Sequence, residues 1–263
     1  MHTPGIGTDP IAAAFLDDRS ALVTGASRNL GAVICEELAA RGATVVVNYH
    51  RSTVAAEALV QRLRDATGRP HIAVAADVTR AEEISRLVAA ANDATGGVDI
   101  LVNNAGPFVI TPFSELPEAE FDRVFDANVK AAYLAARALV PSMRERGWGR
   151  IVNVGAISSD CRNHSVYGLA KAALAFLTEE LAVELGPEIR VNVVAPGQIV
   201  ESVADITEHD PTFVERALRT TPTRRLVTRA EVAALVAAIC GPLFDGVTGA
   251  TIPVDGGFRF PRY

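Results

Sequence analysis

A chain of 263 residues, 49% hydrophobic and 21% charged, is long enough to bury a sizeable core and too apolar to be disordered. Its net charge of −6 gives no reason to expect a nucleic-acid partner. Glu, Arg or Gly breaks each Ala/Val-rich segment, so no run is long enough to span a bilayer and no membrane partner is expected.

Residues 1–18 carry Pro, Gly and Thr but no basic stretch leading into a hydrophobic one. That predicts a loosely ordered lead-in and no export. Cys35, Cys161 and Cys240 stand far apart with no C-x-x-C pair, which predicts free thiols in a reducing cytoplasm and no metal site. Residues 20–24 read as a short apolar strand running into the turn Gly25-Ala26-Ser27-Arg28-Asn29-Leu30-Gly31, with a helix following to residue 41. The Val-rich run 43–48 has the unbroken apolar character of a strand buried on both faces. Helix Thr53–Thr67, strand 71–76, helix Ala81–Thr95 and strand Ile100–Asn103 come next. A long helical region, 117–146, leads to strand 150–154, and another helix carries Tyr167 and Lys171 to residue 185. Strand 190–195, an irregular stretch over 196–228, helix Arg229–Cys240 and strand Thr251–Val254 complete the pattern. Strand and helix alternate throughout, and the strands are too apolar to face water. The expected fold is α/β, a single Rossmann-type doubly wound parallel sheet with helices on both faces, in one domain over 19–263.

The turn at 25–31 lies where such folds seat a pyrophosphate on helix N-terminal amides. Its spacing is G-x-x-x-N-x-G rather than G-x-G-x-x-G, and glycines at a strand end also serve plain turn chemistry. Asn29 tolerates positive φ better than other non-glycine residues, so the turn can survive its presence. Ribose selectivity is set where the second strand ends, at Asn48-Tyr49-His50-Arg51-Ser52. No acid stands there to repel a 2′-phosphate. Arg28 and Arg51 are therefore candidates for a phosphate clamp, with NADP(H) the expected cofactor; two solvated surface arginines are the plain alternative. Asp77-Val78 ends the third strand, where a carboxylate can accept a bond from an adenine amino group. Asn103-Asn104-Ala105-Gly106 ends the fourth, on the face at which these sheets bind ligands. Asn128 falls inside the long helical region, unfavourable for Asn unless its amide has work to do.

Tyr167 and Lys171 stand one turn apart on one helix face. A phenol that gives up a proton near neutral pH needs a cation nearby. Lys130 and Lys171 are the two lysines among 25 basic residues, and an ammonium can reach a sugar hydroxyl beside a phenol more compactly than a guanidinium. An ordinary helix pair of buried Tyr and surface Lys is the plain alternative.

Taken in order from about residue 21 to 258, these motifs resemble the classical short-chain dehydrogenases/reductases. Ala195-Pro196-Gly197 and Val254-Asp255-Gly256-Gly257 add to the set, and the flavour is that of the β-ketoacyl reductase-like branch that uses NADPH. The resemblance implies that Tyr167 is the general acid in reduction. It implies that Lys171 binds the nicotinamide ribose and lowers the tyrosine pKa, and that Asn128 holds a water linking Lys171 to solvent. Gly25, Ser27, Arg28, Leu30 and Gly31 would cradle the phosphates. Asn104, Ala105 and Gly106 would line the ribose and nicotinamide side, with Pro196, Gly197 and Ile199 packed on the nicotinamide. Residues 198–225 would form the substrate lid. A homotetramer is also implied, in keeping with an Ala/Leu content in 117–146 and in the helix after Ser165 beyond what one sheet face would bury.

Two departures from the family pattern bear on chemistry. Glu201, with Ser202 next, stands where A-P-G-x-I-x-T has its threonine, so a side-chain contact to the carboxamide is in question. The fifth-strand pattern G-R-I-V-N-x-S-S reads here Gly149 to Ala156, with Ala156 at the catalytic serine position. Ser158 or Ser159 could substitute, with true absence the favoured reading. Asp160, Cys161 and His164 precede Tyr167 in a loop that either reaches substrate or is simply solvated. The expected activity is NADPH-dependent hydride transfer to a polarised C=O or C=N carbon (imine, iminium or hemiaminal) of a small organic substrate. An isomerase, dehydratase or cyclase on the same scaffold, and a non-catalytic dinucleotide sensor, stay open as alternatives.

Overall fold

The computed structural model describes residues 14–157, 165–207 and 211–260. Seven strands form one parallel sheet: β1 (Ser20–Val23), β2 (Thr44–Tyr49), β3 (Ile72–Ala75), β4 (Ile100–Asn103), β5 (Gly149–Val154), β6 (Ile189–Pro196) and β7 (Thr251–Val254). Their order across the sheet is β3-β2-β1-β4-β5-β6-β7, with Val23 in register with Val47 on one side and Val102 on the other. Helices α1 (Asn29–Ala40), α2 (Thr53–Thr67) and α9 (Arg229–Cys240) share one core with the sheet, built on Ile34, Leu38, Leu59, Val232 and Val236. Helices α3 (Ala81–Thr95), α5 (Ala131–Glu145) and α6 (Ser165–Leu185) share the other, with Ile84, Leu87, Leu139, Met143 and Leu185. β1 feeds both: Ala21 and Val23 enter the first core and Leu22 the second, as a period of two requires. This is the doubly wound fold expected from the alternation of elements.

Two expectations need correction. Residues 14–18 do not belong to a loose lead-in: Leu16 is fully buried in the first core and Phe15 packs beside it. Residues 1–13 lie outside the described residues. The region 117–146 is helical as expected, without interruption from α4 (Glu118–Phe125) through a π-helical turn at Asp126–Lys130 to α5. The stretch 196–228 is not wholly irregular, since it holds a 3-10 turn at Val200–Ser202 and two short helices, α7 (Ala204–Thr207) and α8 (Phe213–Thr220).

Polar residues in such apolar strands must find partners. Asn103 in β4 donates to Asn153 in β5 (2.8 Å), and Asn153 donates to the Thr178 hydroxyl of α6 (2.8 Å). Thr178 passes its own proton to the Leu174 carbonyl (2.8 Å). A buried chain thus fixes α6 against the two central strands.

His71 is fully buried just before β3. Its Nδ1 accepts from the Val45 amide (2.9 Å), which leaves Nε2 to donate to the Thr67 hydroxyl (2.8 Å). Burial, reinforced by Arg64 and Arg69, pushes its pKa down to about 4. The unfolded chain binds a proton below about pH 6.5 that the folded chain refuses until about 4. Stability is therefore complete above pH 6.5 and falls as pH drops towards 4, by about 3 kcal/mol. Urea midpoints between pH 7 and 4.5 should fall more steeply for the native protein than for His71→Gln. Parallel curves would remove His71 as the cause.

Candidate active site

The sheet order reverses direction between β1 and β4, and ligands of open α/β sheets bind at such a point beyond the carboxyl ends of the strands. The chain leaves β1 through a turn knitted to its neighbours. The Thr24 hydroxyl accepts from the amides of Asn104 (3.0 Å) and Ala105 (3.1 Å). The Asn104 side chain donates to the carbonyls of Thr24 (3.0 Å) and Gly25 (3.1 Å). Gly25 has φ +60° and donates its amide to Asn48 Oδ1 (3.1 Å). A Cβ on Gly31 would lie 2.6 Å from Asn104 Nδ2 and 2.8 Å from the Ala26 backbone, so only glycine lets α1 start this close to the β4 end. Asn29 opens α1 at φ +53°, the left-handed conformation its side chain tolerates. No side chain caps α1 and no acid stands in its first turn, so its positive N-terminal end carries no compensating negative group of its own.

Asn48 and Asn104 prove to be braces. The Asn48 side chain is buried and donates to the carbonyls of Ala76 (3.2 Å) and Val74 (3.3 Å), tying β2 to β3 beneath the turn. Ser27 and Leu30 are half-buried and Arg28 is exposed. Tyr49 packs against the core, whereas His50 and Arg51 are exposed; Ser52 caps α2 through its carbonyl, which accepts from the Ala56 amide (3.1 Å). Among the described residues neither Arg28 nor Arg51 has an ion-pair partner. Asp77 is partly desolvated, yet hydrogen bonds from Thr79 (2.7 and 3.0 Å) and the nearby His50 and Arg80 hold its carboxyl below the usual range. His50 Nε2 lies 3.9 Å from Asp77 Oδ2, and Val78 is buried in the second core.

Tyr167 and Lys171 rise one turn apart on α6, with Lys171 against the end of β5. Lys171 is buried, and its ammonium donates to the Val154 carbonyl (2.7 Å) while lying 5.5 Å from the Tyr167 ring centroid. Burial lowers its pKa to about 8. Desolvation of the half-buried Tyr167 side chain pushes its phenol above the usual range. Desolvation penalises the phenolate, and the ammonium donates to the Val154 carbonyl beside the phenol ring. The consequence is a protonated phenol at neutral pH, which is the form an acid needs.

Asn128 sits in the π-helical turn, a distortion frequent at functional sites. It is buried; its Nδ2 donates to the Val124 (3.0 Å) and Pro107 (3.3 Å) carbonyls, and among the described residues Oδ1 has no partner. Gly106, at φ +155°, lies so near that a Cβ there would overlap Oδ1. Beyond β5, the Gly155 amide donates to the Val194 carbonyl (2.8 Å), and half-buried Ala156 follows. Ser158, Ser159, Asp160, Cys161 and His164 lie outside the described residues.

At the end of β6, Pro196 is in register with Val254, and Gly197 packs on Asp255 with no room for a Cβ. Ile199 bridges Val227 and packs on the first core, which closes the base of 198–225. Glu201 is engaged at the start of α9. Its carboxylate accepts from the Arg229 amide (3.2 and 3.3 Å), and Ser202 accepts from the Arg229 guanidinium (3.1 Å). A third neighbour of the phenol ring was missed in the sequence: Phe108, in the segment after Gly106, meets the Tyr167 ring edge-on at 5.0 Å and 84°. An aromatic two residues past Gly106, a candidate site residue, is the signal that could have found it.

Comparison with known proteins places this geometry. Residues 25–259 match the family model described as enoyl-(acyl carrier protein) reductase. The chain is 36% identical to dehydrogenase/reductase SDR family member 4 of Bos taurus, over 92% of this chain and 88% of that one. It is similar to a 7α-hydroxysteroid dehydrogenase solved with NADH and 7-oxo glycochenodeoxycholic acid (TM-score 0.87, 32% identity, 95% of this chain and 97% of that one). It is also similar to RhlG of Pseudomonas aeruginosa in an active-site complex with NADP (TM-score 0.84, 32% identity, 94% and 98%). The order of strands, the knitted glycine turn, the Tyr167–Lys171 pair and these matches together make the chain a member of the short-chain dehydrogenase/reductase family of oxidoreductases.

Proposed function

We propose that the protein is an NADPH-dependent reductase of a polarised C=O or C=N carbon in a small organic substrate, with Tyr167 as proton donor. The observation that carries this reading is the buried Lys171 ammonium, 5.5 Å from the Tyr167 ring centroid and anchored to the Val154 carbonyl at the end of β5, next to the strand that borders the sheet's switch point. The residues fit a dinucleotide: Gly25 and Gly106 are exposed, and the uncapped start of α1 offers amides to a pyrophosphate. Gly25, Ser27, Arg28, Asn29, Leu30 and Gly31 would hold the phosphates, Asp77 the adenine, and Ala105, Gly106, Pro196, Gly197 and Ile199 the nicotinamide side. When bound, the nicotinamide supplies the hydride. Tyr167 gives its hydroxyl proton to the substrate oxygen or nitrogen as that atom gains charge. Lys171 stabilises the phenolate left behind and binds the ribose. The unpartnered Oδ1 of buried Asn128 supports a place for a water on the route that reprotonates the pair. Residues 198–225, closed at their base by the Ile199–Val227 bridge, act as the substrate lid. With Glu201 and Ser202 committed to Arg229, the carboxamide is met by backbone groups. Following NADPH absorbance with ketones, imines and enones tests the reading. Oxidation of NADPH supports it; conversion without oxidation points to an isomerase, dehydratase or cyclase, and binding without conversion to a sensor.

NADP(H) over NAD(H) rests on Arg28 and Arg51, exposed, without ion-pair partners among the described residues, and flanking a strand end that lacks an acid. Replacing both with Ala should remove most of the preference. Equal or tighter native binding of NADH would overturn the clamp.

The protein is further expected to be a homotetramer. Leu169, Phe176 and Val183 recur every seven residues on one face of α6 and are 47%, 63% and 86% exposed, an apolar stripe that a second copy would cover. Light scattering at micromolar concentration should give a tetramer and Phe176→Glu a smaller species. A native monomer would refute it.

A further inference from the structure

We propose, building on the reductase reading, that Phe108 selects the substrate class: the reacting carbon carries an aromatic ring that packs against the Phe108 side chain. The segment after Gly106 alternates its exposure. Phe108 and Ile110 are 50% and 52% exposed, while Val109 between them is buried with Val124, Val166 and Ala170. The strip is held from both sides. The Thr111 carbonyl accepts from the Ser165 hydroxyl at the start of α6, and the Thr111 hydroxyl donates to Glu120 of α4 (3.0 Å). Val109 holds the inward position of this segment, which leaves Phe108 and Ile110 facing out. An aromatic side chain is thus fixed in the open directly beside the proton donor, its ring centroid 5.0 Å from that of Tyr167. Phe113, 60% exposed, extends the same apolar segment. Aromatic partners gain from ring-on-ring geometry beyond the area they bury, so a phenyl group is favoured over an alkyl group of similar size.

Two matched pairs test this: acetophenone against cyclohexyl methyl ketone, and 2-phenyl-1-pyrroline against 2-cyclohexyl-1-pyrroline. With NADPH, the native protein should favour the phenyl member of the pair it reduces by about tenfold in kcat/KM, on the scale of one aromatic contact. Phe108→Ala should abolish the preference and Phe108→Leu reduce it, with NADPH affinity unchanged in both. No native preference, or the same preference in both variants, overturns the proposal. A fall in assembly mass for Phe108→Ala also overturns it, because a second copy would then cover this face. Should no pair be reduced, the reductase reading fails separately. Binding of 1-phenylethanol and 1-cyclohexylethanol to the NADPH complex, native against Phe108→Leu, then decides the Phe108 assignment: tighter phenyl binding lost in the variant upholds it, and equal binding overturns it.

Discussion

Replacing Tyr167 with Phe should cut turnover by about 10²–10⁴-fold and leave NADPH affinity near native, since a positioned acid contributes about that much. The substitution removes one oxygen and keeps the ring. The edge-on packing with Phe108 and the position over Lys171 are contacts of that ring and survive it. The loss therefore reports the proton and not the scaffold. Lys171→Ala should differ in kind, weakening both NADPH binding and rate, because the ammonium also braces the end of β5 through the Val154 carbonyl. Full activity in Tyr167→Phe, with NADPH still bound, would mean that the proton comes from another group.

Restoring a hydroxyl with Ala156→Ser should raise kcat/KM for simple ketones by about 10²-fold, the worth of one donor to a developing oxyanion. A ketone gathers charge on oxygen as hydride arrives, and Tyr167 then meets it with no hydroxyl at position 156 to help. An iminium carbon begins with its own positive charge, builds no alkoxide, and should gain little from the serine. The position is well defined by its neighbours: the Gly155 amide is fixed to Val194, and a Cβ at 155 would crowd Val193. A larger gain for ketones than for imines supports C=N or hemiaminal reduction as the native activity. Efficient native reduction of simple ketones, unchanged by the serine, would sink that idea.

The strands, their buried character and the parallel fold follow from the sequence alone, because unbroken apolar runs such as Val45-Val46-Val47 can lie only inside a covered sheet. The Tyr167–Lys171 pair and the glycine turn were legible for a related reason. Their geometry is local, fixed by one helical turn and by one tight bend. Tertiary structure decided what each polar side chain does with its hydrogen bonds. Asn48, Asn104 and Glu201 sit near the site in sequence terms, yet they are spent on carbonyls of β3 and the turn and on the start of α9. An amide or carboxylate takes the nearest partner in space, and that partner lies between about 25 and 80 residues away along the chain. The same holds for Phe108: its exposure depends on Val109 being claimed by α4 and α6, elements that come later in the chain. The π-helical turn at Asn128 has the same origin, since only the packed site gives a buried amide a reason to distort the helix.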